Sequence, residues 1–543
     1  MARILNLLIL IFELVAFIKV RKKGTKTIAN YSVAANLFAV PVSLLLVILG
    51  QKGFVQVLRL TSASLLAMTL FVTVCILVPV AGGVRERLAS GGALFHNVLI
   101  PVVSTLSYLF AEDKAPFLWI LLPVALTAVY GCVMLWLNHT GKLDGPYPFF
   151  RVKKLGIGLT ALCMGGMIMA VTVLSGAIGF QKQRRSDVKY VFVHGLSGWG
   201  SYDLLNEFFP YWGLSGGSII RYLNNNGYES YAASVDPTGS AWDRACELYA
   251  QLTGTRVDYG EAHSAAAGHE RYGKDFTGKA LLKDFENSKI ALIGHSFGGA
   301  TIRLFSELLK NGSSSERAVT ADADISPFFR GGNGDNLLAV VTLAAPTNGT
   351  TAYDMYEDRS FNTSAVKVEE KYEKNSDAVS KNTKPVLDGR ASWDYASYDM
   401  HIDNALALNG RITTFDDVYY FAYPCSSSII EEDGSVTPDP SITESIFMKG
   451  ATLMSKYTGT TKGGFKVDAS WQSNDGLVNE VSAGAPIGAA SARFSEGSTI
   501  EPGCWYVMPT FRGDHMSLQG GLTKRINVKP FYLELAKMLA ELD

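Results

Sequence analysis

The chain has 543 residues, 48% of them hydrophobic and 18% charged, with a mean hydropathy of +0.14; soluble domains carry roughly 25% charged residues, so composition excludes a chain wholly immersed in water. Lys+Arg number 49 and Asp+Glu 50, a net charge of −1, which excludes polyanion binding driven by bulk charge and a largely disordered chain. Six cysteines, at 75, 132, 163, 246, 425 and 504, are too few and too scattered for a disulfide scaffold or a zinc ribbon.

Apolar character concentrates before residue 181. A bilayer core takes about 20 helical residues, and six stretches approach that length: Leu5–Val20, Val33–Leu49, Ser62–Val80, Ala93–Ala111, Pro116–Asn138 and Leu155–Phe180. In the first, the basic residues follow the apolar run and no small-residue cleavage site comes after it, so it reads as an anchor rather than a signal peptide. The loops after stretches one, three and five hold 11 Lys and Arg, and the opposing set, Arg59 among them, holds 8. The excess marks the cytoplasmic side, which predicts that both termini face outward. Glu13 and His96 fall inside apolar stretches, where ionisable groups are costly, and neither has an evident partner in the sequence. Pro41, Pro101 and Pro123 are tolerated in transporters and ordinary bundles alike, so an anchor or a surface for an unknown partner is favoured over a transport site, with both readings left open by the sequence.

From about Asp187 the pattern changes to short apolar runs alternating with amphipathic stretches. KYVFVHG (189–195), KIALIGHSFGG (289–299) and NLLAVVTLAAP (336–346) are continuous apolar strands ending in turns. Uninterrupted strands separated by helices predict a mostly parallel sheet covered on both faces.

The pattern G-x-S-x-G occurs twice, around Ser215 and around Ser296. A nucleophilic serine of this type needs a sharp strand-to-helix turn with small flanking residues. Ser215 follows NEFFPYWG, which is no clean strand. Ser296 follows Ile290–Ile293 and precedes an amphipathic helix, so Ser296 is the expected nucleophile. Its base must come later in the chain, after an orienting acid; past Ser296 only His401 and His515 remain. His515, in a loop before the final helix, is the expected base, and Asp475, in WQSNDGLVNEVS, the expected acid. Asn-Asp-Gly is equally a good turn. Asp514, adjacent to His515, is a poor alternative. The oxyanion hole is expected from the backbone N–H groups of Phe297 and, in the loop after the early strand, Leu196.

HGLSGWG (194–200), YWG (211–213), AWDRACELYAQLTGTRVDYGEAHSAAAGH (241–269), GHSFGG, NDGLVN and the Asp-His at 514–515 together resemble the large triacylglycerol lipases of Gram-positive bacteria, which are α/β-hydrolases with a zinc-binding insertion. The likeness runs in order from about Lys189 to the C-terminus, and segment 241–269 is its most specific part. The resemblance implies a structural zinc held by Asp243, His263, His269 and a later aspartate, best matched by Asp399; two imidazoles and two carboxylates leave no open position. Members usually bind calcium through a Glu two residues after the catalytic histidine and an Asp-Pro beyond. Here those positions read Ser517 and QGGLTK, and no calcium is expected. The lid region, about 352–397, contains KVEEKYEKNSDAVSKNTK, too polar for an amphipathic lid, which sets this chain apart on interfacial activation. The six membrane stretches have no counterpart in secreted members; a tether raises effective substrate concentration at a membrane. Cys246 reads as a buried small residue, and Cys425 and Cys504 are able to pair only if the domain is extracellular.

The expected organisation is a multi-pass membrane bundle of about six helices over 1–185 and an α/β-hydrolase over 186–543, with the zinc insertion near 236–280. The expected activity is that of a bacterial plasma-membrane serine ester hydrolase acting on lipid esters, with the membrane and an ester as partners and no nucleic acid. A short-chain esterase or an acyltransferase would use the same three residues. A transporter or sensor with a non-catalytic hydrolase-like module is the reading from another class.

Overall fold

The computed structural model describes residues 2–20, 30–51, 53–81, 88, 91–142, 147, 151–180, 185–355 and 390–543. The chain separates into two compact units, Met1–Lys182 and Gln183–Asp543. Within the expected lid region, residues 356–389 lie outside the described residues.

Five helices of the first unit are long and apolar enough to cross a membrane: α2 (Tyr31–Leu49), α3 (Gly53–Leu77), α4 (Gly92–Phe110), α5 (Phe117–His139) and α6 (Val152–Gly179). The first predicted stretch is also one helix, α1 (Ala2–Val20), which carries Arg3, Glu13 and Lys19. α3 departs most from its predicted bounds. It begins nine residues before Ser62, taking in residues assigned to a polar loop, because the one strong charge there is neutralised inside the bundle. Arg59, wholly buried, pairs with Glu112 (Nη2–Oε1 2.9 Å, Nε–Oε2 2.9 Å), and Ser104, Ser107 and Asn6 complete the polar cluster. Glu13 and His96 have a partner after all: each other. Nε2 of His96 lies 3.4 Å from Glu13 Oε2, and a single π-helical turn, Phe95–Leu99, presents the histidine.

The second unit is built on seven parallel strands: β1 (Lys189–Val193), β2 (Ser230–Ala233), β3 (Ile290–His295), β4 (Leu337–Leu343), β5 (Tyr419–Tyr423), β6 (Ser491–Arg493) and β7 (Trp505–Val507). Their order across the sheet is β6-β7-β5-β4-β3-β1-β2. A parallel sheet must be covered on both faces, and alternation along each strand supplies two cores. In β1, Val191 and Val193 join the core closed by α7 (Ala241–Thr253) and α9 (Gly298–Asn311). Tyr190 and Phe192 join the opposite one, closed by the helix Ile219–Asn225 and by α11 (Lys529–Glu541). α8 (Glu261–Ala267) belongs to the inserted segment. α10 (Ser445–Met454) lies in the long connection between β5 and β6. The carboxyl ends of β1, β3 and β7 point the loops that follow them toward one edge of the sheet, where open α/β sheets hold their sites.

Candidate active site and metal centre

Ser296 follows β3 directly. The turn from the strand into α9 is so tight that Ser296 adopts a left-handed backbone (φ 55°), unusual for a residue with a side chain. Its neighbours must be small: a Cβ at Gly298 would lie 2.2 Å from the Val193 carbonyl oxygen, and one at Gly195 would lie 2.5 Å from the Ser296 Cβ. The tight turn aims the hydroxyl of the buried Ser296 at His515, with Oγ 2.8 Å from Nε2. The other ring nitrogen, Nδ1, donates to Asp475 Oδ2 at 2.7 Å. Asp475 is wholly buried, and its Oδ1 accepts from the N–H groups of Leu477 (2.9 Å) and Val478 (2.7 Å). The Asn-Asp-Gly turn and the acid are therefore one device, since the turn's own N–H groups hold the carboxylate. The backbone joins in, with His515 N–H donating to the Asp475 carbonyl at 2.8 Å. A hydroxyl, an imidazole and a carboxylate in line let the imidazole take the hydroxyl proton while the carboxylate fixes its tautomer.

Leu196 lies in the loop after β1 and Phe297 directly follows Ser296, and among the described residues neither N–H group is taken by a hydrogen bond. The loop carrying Leu196 is held by a residue that sequence reasoning did not single out. Arg244, wholly buried, donates to Asp236 O (2.9 Å), Gly195 O (3.4 Å), His194 O and Thr301 Oγ (2.9 Å), and its guanidinium lies 5.1 Å from the Phe297 ring centroid. It thus ties the 194–196 loop to Phe297. His295 donates through Nε2 to the His515 carbonyl (3.0 Å) and receives the Tyr211 hydroxyl at Nδ1 (2.8 Å). Burial, then the nearby His515, hold His295 well below the usual histidine range, so it is a neutral brace. Burial and Arg244 likewise push His194 down to about 3. Ser215, the other G-x-S-x-G serine, spends its hydroxyl on the Gly520 carbonyl (2.6 Å).

Four residues that could hold a metal, between positions 243 and 394, converge from three segments. Asp243 lies in the first turn of α7, where Ser240 caps the helix by accepting its N–H. His263 lies in α8, and His269 follows the left-handed turn at Gly268 that ends it, which brings the two imidazoles together despite their spacing. The fourth group is Asp394, not Asp399. Backbone bonds from Ala391 N–H to Ala267 O and from Ala396 N–H to Thr238 O run the segment past the cluster, placing Asp394 opposite Asp243. Asp399 sits in the helix Ala396–Met400 and accepts the Ala241 N–H instead (2.8 Å). The four donor atoms lie within 4.8 Å of one another. His263 Nε2 is 3.2 Å from both Asp243 Oδ1 and Asp394 Oδ1; His269 Nε2 is 3.2 Å from Asp394 Oδ2 and 3.7 Å from Asp243 Oδ1.

These residues fit a metal. Both Nε2 atoms are buried and make no well-directed hydrogen bond, while His269 Nδ1 donates to the Glu270 carbonyl and so leaves Nε2 its lone pair. Arg390, which no sequence pattern singled out, donates to Asp243 Oδ2 (2.7 Å) and Asp394 Oδ2 (2.8 Å). Burial pushes His263 down, but Asp243 and Asp394 outweigh it and raise it to about 9. Elsewhere, Cys246 is buried in α7 as expected, and Cys425 and Cys504 are free thiols; the Cys425 thiol faces the carbonyls of Gly513 and Asp514.

The geometry has relatives. Residues 186–375 match the family model described as the C-terminal domain of lipase-like proteins. A lipase of Staphylococcus hyicus is 32% identical over 355 residues, 61% of this chain and 53% of that protein, so the chain spans about half the length of this curated relative. The crystal structure of S. hyicus lipase superposes with a TM-score of 0.58 at 28% identity, over 67% of this chain and 98% of that one. EstA from Clostridium botulinum superposes with a TM-score of 0.57 at 31% identity, over 67% and 90%. By sequence and by fold, this chain belongs to the lipase family of Gram-positive bacteria.

Proposed function

We propose that this protein is a membrane-anchored serine ester hydrolase acting on lipid carboxylic esters. The observation that carries it is the line Ser296 Oγ–His515–Asp475, with 2.8 and 2.7 Å contacts and the serine held at φ 55°. Ser296 Oγ attacks the ester carbonyl as its proton passes to His515 Nε2. Asp475 stabilises the imidazolium, and the Leu196 and Phe297 N–H groups receive the oxyanion, each such donor being worth about 2.7–4 kcal/mol in the transition state. His515 then delivers the proton to the leaving alkoxide, and water hydrolyses the acyl-serine by the same route in reverse order.

Asp243, His263, His269 and Asp394 would hold a structural zinc, which supplies a charged staple between α7, α8 and the segment before Asp399. The two-imidazole, two-carboxylate donor set supports zinc. α1 joins the five apolar helices as a sixth span, its Glu13 charge met by His96. The loops after stretches one, three and five carry the larger share of lysine and arginine, 11 against 8. That supports a catalytic unit outside the bacterial plasma membrane.

The test is hydrolysis of p-nitrophenyl esters of increasing acyl length by the full-length protein in detergent micelles. Ser296→Ala is expected to abolish turnover, and the chain-length profile separates lipase from short-chain esterase. Undiminished turnover in Ser296→Ala, or none in the folded wild type, refutes the proposal.

A further inference from the structure

The loop that carries His515 is tied down by a residue far from the chemistry. Glu444, 2% exposed, immediately precedes α10. Its Oε1 accepts the N–H groups of Leu522 (2.8 Å), Thr523 (2.6 Å) and Lys524 (2.8 Å), and Oε2 accepts the Thr523 hydroxyl. One carboxylate therefore gathers three successive backbone donors. Burial opposes its charge, yet these donors outweigh burial and hold the carboxyl below its usual range.

The same residue reaches the other end of the loop. The Glu444 N–H donates to Asp514 Oδ2 at 2.7 Å. Asp514 Oδ1 accepts from Met516 N–H (3.1 Å) and from Ser517 Oγ (2.9 Å), so the residues on both sides of His515 are bonded to one side chain. Ser517, which stands where the resemblance expects a calcium-ligating glutamate, is here a link in a hydrogen-bonded chain. α10 also reaches the acid: Phe447 lies with its ring centroid 6.4 Å from that of His515, and a Cβ at Gly476 would meet the Phe447 Cβ at 2.7 Å.

We infer that Glu444 is a positioning residue for His515: it clamps residues 514–524 from both ends and so keeps the imidazole between Ser296 and Asp475. This rests on the proposed hydrolase reading. Glu444 touches no reacting atom and acts through Asp514 and the loop backbone. Neutralising it without changing its shape should loosen the histidine rather than the substrate site.

The experiment compares full-length wild type, Glu444→Gln and Glu444→Asp in micelles, with active sites titrated by a fluorophosphonate. For Glu444→Gln we expect kcat per titrated site to fall at least fivefold with KM within twofold, and the acidic limb of the pH–rate profile to move. Glu444→Asp, which keeps the charge, should recover at least half of the loss. If Glu444→Gln fails to fold, Thr523→Val removes only the hydroxyl donor and should show the same pattern more weakly. Unchanged kcat per site and an unchanged pH profile, even with a lowered melting temperature, overturn the inference. A readout independent of turnover is the far-downfield proton of the His515 Nδ1–H···Asp475 bond, assigned by its loss in His515→Ala. It should broaden or disappear in Glu444→Gln, and its persistence unchanged overturns the inference. A wild type that shows the proton and turns over no ester sinks the hydrolase reading instead.

Discussion

Replacing Arg244 by lysine keeps the charge and removes the fork. The guanidinium serves four oxygens, on His194, Gly195, Asp236 and Thr301, in a site with no solvent exposure. A lysine brings one point charge with three donors on a flexible stem and cannot span a planar, fork-shaped set of acceptors. At least two buried acceptors lose their partner, and at about 1–3 kcal/mol each the folded state should lose about 2–6 kcal/mol. The catalytic effect is separate. Arg244 bonds the carbonyl of the Gly195–Leu196 peptide, whose N–H is the proposed oxyanion donor, so the donor loses part of its orientation. Removing such a donor outright costs about 10²–10³ in kcat; partial disorder should cost about 10–100-fold, with KM little changed. The assay is ester hydrolysis well below the melting temperature, with rates divided by titrated active sites. A variant that melts earlier but keeps kcat per site within twofold of wild type would falsify the link between Arg244 and the oxyanion loop.

The remaining predictions concern the metal, the pH dependence and the bundle. Asp394→Asn should lower bound metal below one equivalent in elemental analysis and lower the melting temperature, whereas Asp399→Asn should retain the metal; the reverse pattern would restore Asp399 as the ligand. Chelation of wild type should lower the melting temperature as Asp394→Asn does, and identical melts with and without chelator would count against a structural metal. Burial, with Asp236 and Asp243 adding to it, raises Glu247 to about 8. An unfolded Glu ionises near about 4.3, so stability should be full below that value and fall as pH rises toward 8, by up to ~1.4 kcal/mol per pH unit. Glu247→Gln should flatten this fall in thermal melts between pH 5 and 8, and parallel curves for the two proteins would contradict the assignment. In the bundle, Arg59→Met strands Glu112, and breaking a buried pair costs about 3–5 kcal/mol. Adding Glu112→Gln should recover part of the loss in detergent melts; a single variant as stable as wild type would show that the pair carries no such load.

The sequence by itself determined the parts whose physics is local. Apolar length marked the helices of the first unit. Continuous Val-Ile-Leu runs marked the parallel sheet, which needs apolar residues on both faces. The small residues around Ser296 marked a turn too tight for anything larger, and chain order left His515 and Asp475 as the groups that the fold brings to it. Tertiary structure decided everything that depends on which distant segments run side by side. Asp394 and Asp399 are five residues apart and chemically identical, and only the pairing of 391–396 with Ala267 and Thr238 puts one of them against Asp243. Arg59 looked like a loop charge until Glu112, 53 residues away, neutralised it, and Glu13 lacked a partner until α1 met the turn bearing His96. Arg390 and Glu444 carried no motif at all, and Arg244 stood in segment 241–269 without an assigned role. Their roles are hydrogen bonds to backbone carbonyls, carboxylates and N–H groups, and a local pattern of residue types does not encode where those groups will be after folding.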